Sequence, residues 1–337
     1  MAATGVVVVG AGVSGTACAR ELDAAGVPVR LLDRGRAPGG RMASRRLPVP
    51  GADGVRPVDI GASYFTASGE EFGAVVAGWR ARGLAREWAR SFHVVTGTAR
   101  AGARLGGPTE PGPVRWAAPG GLRSLVADLQ DGLDVRLAHD VEAVDAASGS
   151  PQVDGEPAAA VVLAMPDPQA GDLLPADVAQ RLDVSGRWDW RPCIAVAAGW
   201  AQRWWPPLDG AFVNDSDVLT FLADDGARRG DGAPVLVAHT APELSAAALD
   251  DPPAVVPTVL AELEALLSDG PVGEPEWVRA HRWSLAQPLR QHADSPFGWD
   301  EASGIGVCGD AWGPVSRVEG AYLSGRALGR HLAQRLG

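Results

Sequence analysis

Gly10, Gly12 and Gly15 fall at the spacing GxGxxG, within the run Gly10-Ala11-Gly12-Val13-Ser14-Gly15. Such a triplet is common by chance, but this one has a full structural context. The β-branched run Val6 to Val9 precedes it and reads as a buried parallel strand. Thr16 to Ala25 follows, with Ala17, Leu22 and Ala25 able to pack inward on a helix, and Gly26 stops it. Val27 to Leu32 is a second strand ending in Asp33, 18 positions beyond Gly15. In this βαβ setting the first glycine allows a tight turn, the second lets the backbone approach a pyrophosphate, and the third allows close helix–strand packing. Around Val13 and Ser14 the helix N-terminus offers N–H groups and partial positive charge to phosphates. Asp33 would accept from ribose hydroxyls and repel a 2′-phosphate, so the unit is expected to hold a dinucleotide.

A second turn follows: Arg36-Ala37-Pro38-Gly39-Gly40-Arg41-Met42-Ala43-Ser44. Two glycines let the backbone pass close to a cofactor, and Arg41 offers a fixed fork of donors to phosphate. Here the sequence resembles the FAD-dependent amine oxidase superfamily, whose second signature is a Gly-Gly-Arg turn just after the βαβ unit. Asp59-Ile60-Gly61-Ala62-Ser63-Tyr64-Phe65-Thr66, Arg191-Pro192-Cys193, and His281-Arg282-Trp283 with Ala286 and Pro288 resemble its renalase-type branch. Gly309-Asp310-Ala311-Trp312, Val318-Glu319-Gly320-Ala321 and Ser324-Gly325 are similar to the superfamily's last flavin-binding segment.

The resemblance implies bound FAD and a renalase-like reaction, oxidation of the 2- and 6-dihydronicotinamide isomers of NAD(P)H by hydride transfer to flavin N5, with O2 as the final acceptor. It places Gly61 and Ala62 beside the isoalloxazine ring and Asp310 on the ribityl or pyrophosphate portion. The helix near Gly320 would aim its N-terminus at the flavin N1/C2 edge. Arg34, Met42, Val141, Gly309, Glu319 and Ala321 join the cofactor set by the same resemblance, and Tyr64, His281, Arg282 and Trp283 shape the substrate pocket. Two departures matter. Amine oxidases of the superfamily often place a lysine beneath flavin N5, and this chain has no lysine: all 30 of its basic Lys/Arg residues are arginine. Cys308 is followed by Gly309-Asp310 rather than by the Tyr of the covalent-attachment motif, so FAD is expected to be non-covalent. Alternatives are an amine oxidase or desaturase acting on a small metabolite and, from another class, a non-catalytic FAD-binding protein.

The elements that must position these residues read as an α/β, Rossmann-like, doubly wound FAD-binding domain and a substrate domain of antiparallel sheet and helices. Residues 1–75, 118–166 and 298–337 are expected to form the first, and 76–117 and 167–297 the second. Leu122 to Leu129, Ala254 to Leu267 and Gly320 to Leu336 read as helices. Val135 to Leu137, Val141 to Val144, Val161 to Ala164 and Gly304 to Cys308 read as strands. Arg82, Arg86 and Arg90 recur at i, i+4 and i+8, a pattern that would line one helix face and either attract phosphates or be simply solvated. All twelve Trp lie at position 79 or beyond, as core of the second domain or as walls for a flat ligand.

Composition narrows the rest. A chain of 337 residues suggests roughly two domains. Without lysine neither a PLP Schiff base nor a P-loop can operate. A net charge of −11 disfavours nucleic acid and anionic membranes as partners, leaving a small-molecule substrate and O2. Three well-separated cysteines without a CxxC, and six histidines without an HxxxH, give no disulfide framework and no metal site. No apolar run reaches the ~20 residues of a membrane span, and a cytoplasmic location is the default expectation.

Overall fold

The computed structural model describes residues 5–146, 150–184 and 190–337. The chain divides into two compact units, each assembled from separated stretches: residues 1–42, 123–190 and 287–337 in one, 43–122 and 191–286 in the other.

The first unit is built on a six-stranded sheet in the order 298–300, 305–307, 160–163, 6–9, 29–33 and 134–137. Neighbours pair in parallel except Gly298–Asp300, which runs antiparallel along the edge. Val6–Val9 and Ala160–Leu163 are buried at every position, as strands covered on both faces must be. The helices Val13–Ala24 and Val318–Leu336 pack against one another. Glycine is required where they meet, because a Cβ at Gly325 would lie 1.9 Å from the Ser14 carbonyl oxygen.

The second unit centres on a six-stranded sheet in the order 277–288, 190–199, 235–240, 219–224, 210–214 and 93–96. Its hairpins are antiparallel, while His93–Thr96 joins Gly210–Asn214 in parallel. The antiparallel hairpin Ser44–Pro48/Val55–Asp59 leads into the segment that carries Gly61 and Ala62. Aromatic residues supply much of this unit's core. Trp200, Trp204 and Trp205 pack edge to face at 5.3 to 5.5 Å, and Trp88, Phe92 and Phe221 form a second nucleus with Tyr64 and Phe212.

Two sequence expectations are corrected. Arg82, Arg86 and Arg90 do not share a helix face. The helix ends at Ala81, Gly83 takes a left-handed φ of +72°, and Arg86–Ala89 is a strand paired with Arg115–Ala117. Arg86 donates through Nη1 to the carbonyls of Ala227 and Arg228, whereas Arg90 ion-pairs with Glu87. The strand expected over Val141 to Val144 shrinks to Val144–Asp145, because the N–H groups of Glu142 and Ala143 donate to the Asp154 carboxylate instead of to a neighbouring strand.

Candidate cofactor site

The glycine turn of the first unit is fixed from three directions. Gly10 takes a φ of +104°, and a Cβ there would meet the Ala164 carbonyl oxygen at 2.5 Å. At Gly15 a Cβ would lie 2.0 Å from the Gly10 carbonyl oxygen, whereas at Gly12 it would find nothing within 4 Å. Two glycines are therefore demanded by packing, and the middle one leaves an open face. Gly12 is the N-cap of Val13–Ala24 and provides no capping side chain, and the first turn carries no acidic residue. An uncapped helix start beside an open glycine face suits an anionic pyrophosphate.

Asp33 holds this turn together. Its Oδ2 accepts from the Ala11 N–H at 2.7 Å and its Oδ1 from the Gly35 N–H at 2.6 Å. Each oxygen keeps a further lone pair for a ribose hydroxyl. Gln130, which the sequence did not flag, donates to the Ala11 carbonyl at 2.8 Å and to the Thr16 hydroxyl at 3.1 Å. Gly39 and Gly40 have φ of +111° and +50°, and the Met42 N–H closes the turn onto the Gly39 carbonyl. Gly40 comes close to Gly12: a Cβ on Gly40 would lie 3.6 Å from the Gly12 Cα. Met42 and Val141 are buried, and Arg34 is exposed.

Arg41 and Asp310 meet each other. Arg41 donates bidentately to the carboxylate, Nη1 to Oδ2 at 2.9 Å, and its guanidinium lies 5.2 Å from the Trp190 ring centroid. Ser316 adds a hydroxyl donor to Asp310 at 2.7 Å. The Gly309 N–H is held by the Ser324 hydroxyl, and the Ala321 N–H by the Arg317 carbonyl. The last helix begins at Val318, and its first turn contains the buried Glu319, which ion-pairs with Arg317 at 2.9 Å. The positive helix end at Gly320 thus carries its own carboxylate.

In the second unit the pocket candidates part company. His281 and Trp283 lie on one face of the strand Trp277–Pro288, their rings edge to face at 4.5 Å, and the strand's period of two puts Arg282 on the other, exposed face. There Arg282 donates to the Leu249 carbonyl. Burial, then Arg45 and Arg282, depress the His281 imidazole to about 4. Tyr64 packs among Trp88, Phe92 and Phe221, with the Arg115 guanidinium 5.7 Å from its ring centre.

Behind Gly61 and Ala62 lies a cluster of charges that the sequence did not announce. Asp225, wholly buried, accepts from Arg56, Arg228 and Arg229. Arg229 also pairs with Asp59 at 2.8 Å, and Asp59 accepts from the Ser44 hydroxyl and the Leu122 N–H. His239 lies nearby, half-buried. Desolvation, then the Arg228 charge, push its imidazole down to about 4. Its partners are far away in sequence, and no local motif marks it.

Among the described residues no helix is long and apolar enough to cross a membrane, and no group of three or more His, Cys, Asp or Glu side chains is placed to hold a metal ion. Residues 8–79 match the NAD(P)-binding Rossmann-like domain, and residues 84–329 match the flavin containing amine oxidoreductase family. Among solved structures, cyclohexylamine oxidase from Brevibacterium oxydans IH-35A superposes with a TM-score of 0.76 at 15% identity, covering 99% of both chains. Putrescine oxidase bound to putrescine gives 0.70 at 16% identity, covering 98% of both chains. At these identities the likeness is one of fold.

Proposed function

Because the chain belongs to the flavin-containing amine oxidoreductase family, we propose that it is a renalase-like oxidase that binds FAD non-covalently and converts 2- and 6-dihydronicotinamide isomers of NAD(P)H to NAD(P)+. Bound FAD would supply the two-electron acceptor, taking hydride at N5, with O2 then accepting two electrons and two protons to leave H2O2. The glycine turn, the helix starting at Val13 and the carboxylate of Asp33 would hold the adenosine and pyrophosphate end. Asp310, braced by Arg41 and Ser316, would accept from the ribityl chain. Gly61 and Ala62 would bring backbone to the ring. His281, Trp283 and Tyr64 offer flat apolar faces for a nicotinamide, and Arg282 is left out because it lies on the other face of its strand.

The observation that carries this reading is the absence of lysine from the chain. Arginine stays protonated and makes a poor proton acceptor. His239 and His281, both near 4, are weak bases. A substrate that becomes aromatic on losing hydride needs no strong base, so the available groups suffice for holding and aligning it. Amine oxidation is the second reading, and the shared fold of putrescine oxidase and cyclohexylamine oxidase favours it.

Anaerobic mixing of the holoprotein with borohydride-reduced NAD, with ordinary β-NADH, and with putrescine or cyclohexylamine separates the two. Fast bleaching of the oxidised flavin band by the isomer mixture alone is the expected result. Equal, slow bleaching by the isomer mixture and β-NADH defeats the proposal, and fast bleaching by an amine replaces it with the second reading.

A further inference from the structure

Asp310 sits in a tight turn held at both ends by residues of the first unit. The Trp312 N–H closes the turn onto the Gly309 carbonyl at 3.2 Å, and the Gly309 N–H donates to the Ser324 hydroxyl at 3.0 Å. The far end is tied to one residue, His292. Its N–H donates to the Ala311 carbonyl at 2.8 Å, and its carbonyl accepts from the Gly313 N–H at 3.1 Å. His292 and Trp312 thereby form a parallel β-bridge between two loops.

The side chains of the same two residues repeat the tie. The His292 imidazole stacks flat on the Trp312 indole, with ring centres 3.7 Å and planes 8° apart. The wholly buried Asp167 carboxylate accepts from both rings, Oδ2 from His292 Nε2 at 3.1 Å and Oδ1 from Trp312 Nε1 at 3.2 Å. A carboxylate partner keeps a hydrogen on Nε2. The indole also fits against Gly298, where a Cβ would meet it at 2.7 Å. Arg41 and Ser316 brace the Asp310 carboxylate, whereas His292 and Asp167 brace the backbone that carries it.

We propose that His292 and Asp167 are positioning residues, which act through the Trp312 anchor to hold the Asp310 carboxylate where the ribityl chain of FAD would meet it. This role rests on the reading that the chain binds FAD with Asp310 on the ribityl portion. A carboxylate fixed in advance spares the cofactor the cost of ordering the loop on binding. Loosening the anchor therefore weakens the hold on the ribityl half. It leaves the adenosine and pyrophosphate end, held by the glycine turn and Asp33, as it was.

The full-length chain, stripped of flavin, tests this by its affinity for two probes: FAD, and ADP, which has the adenosine and pyrophosphate but no ribityl chain. His292→Leu removes both the stack and the donor to Asp167, and Trp312→Phe keeps a ring and removes the indole donor. Both are expected to lose about tenfold in FAD affinity, about 1.4 kcal/mol, with ADP affinity unchanged. In an Asp310→Asn background, His292→Leu is expected to cost no further FAD affinity, as for residues that act through one another. Equal losses for FAD and ADP overturn the proposal, because they mark general damage to the unit. Wild-type FAD affinity in both single variants overturns it too, as does the full loss repeated in Asp310→Asn. If Asp310→Asn takes up no FAD, the comparison of FAD with ADP decides alone, and each single variant tests the idea if the other fails to fold. A wild-type chain that takes up no FAD defeats the cofactor reading instead of this role.

Discussion

Asp225 shows how much this chain entrusts to single buried ions. Burial alone would push its carboxyl up, but Arg228, Arg229 and Arg56 outweigh that and hold it well below the usual carboxylate range. Removing one partner from such a cluster leaves uncompensated buried charge, at a cost of about 3–5 kcal/mol. Asp225→Ala is accordingly expected to lower the urea midpoint severely at pH 7, and a midpoint near wild type would show that the three arginines find other partners. The linkage sign follows from the lowered value. Asp225 contributes stability above the unfolded carboxylate pKa of about 3.9, and that contribution is lost as pH falls toward the folded value. His239 adds an earlier acid-sensitive window. Its folded value near 4 lies below the unfolded value of about 6.5, so the unfolded chain takes up the proton first and stability falls as pH drops from about 6.5 to 4. Thermal melts across pH 7.5 to 4.5 are expected to show a shallower decline in His239→Asn than in wild type, and parallel curves would contradict this.

Gly12 and Gly325 divide structural from cofactor demands on the secondary-structure elements. Gly325→Ala places a Cβ 1.9 Å from the Ser14 carbonyl oxygen and must push the first and last helices apart, so loss of thermal stability with or without FAD is expected. Gly12→Ala meets no protein atom within 4 Å. Its FAD-free form is expected to melt like wild type while FAD affinity falls at least about tenfold, one factor of ten being about 1.4 kcal/mol. Equal melting and equal FAD affinity would remove Gly12 from the cofactor cradle. These elements were legible in the sequence because the code is local. Four consecutive valines, a glycine turn and an apolar helix face lie within 33 residues, and Leu122–Leu129 was read with its observed bounds. The arginine stripe misled because i, i+4 spacing cannot show that Gly83 turns left-handed between Arg82 and Arg86. The hydrogen bonds from Arg228 to the Asp59 and Ser63 carbonyls were invisible, since they join residues 169 and 165 positions apart. The pairing of His93–Thr96 with Gly210–Asn214 was hidden for the same reason.

Across the chain as a whole, the reactive groups are kept quiet. Desolvation raises the thiols of Cys18, Cys193 and Cys308, the last two to about 12. A thiol-reactive chromophore at pH 8 is therefore expected to leave the buried Cys18 and Cys308 unmodified in the native protein, to reach the half-buried Cys193 slowly, and to titrate three thiols in denaturant. Rapid native labelling of Cys18 or Cys308 would show that their surroundings open far more readily than the packing implies. Acid precipitation is expected to release the flavin into the supernatant, and yellow colour kept in the pellet would contradict non-covalent binding.

The strand order of the first unit also sets a timetable for biosynthesis. Ala160–Leu163 lies between Val6–Val9 and Ile305–Val307, and the helix against Val13–Ala24 is Val318–Leu336. At about 5–20 residues per second, roughly 15 to 60 s separate the exit of the first strand from that of the strand near the end. Every residue of the second unit, 43–122 and 191–286, has left the ribosome before that. The second unit can therefore condense first on the nascent chain. Ala160–Leu163 waits with one edge unpaired for Ile305–Val307, and Val13–Ala24 waits for its partner helix, so these are the stretches that need chaperone shelter until translation is nearly complete.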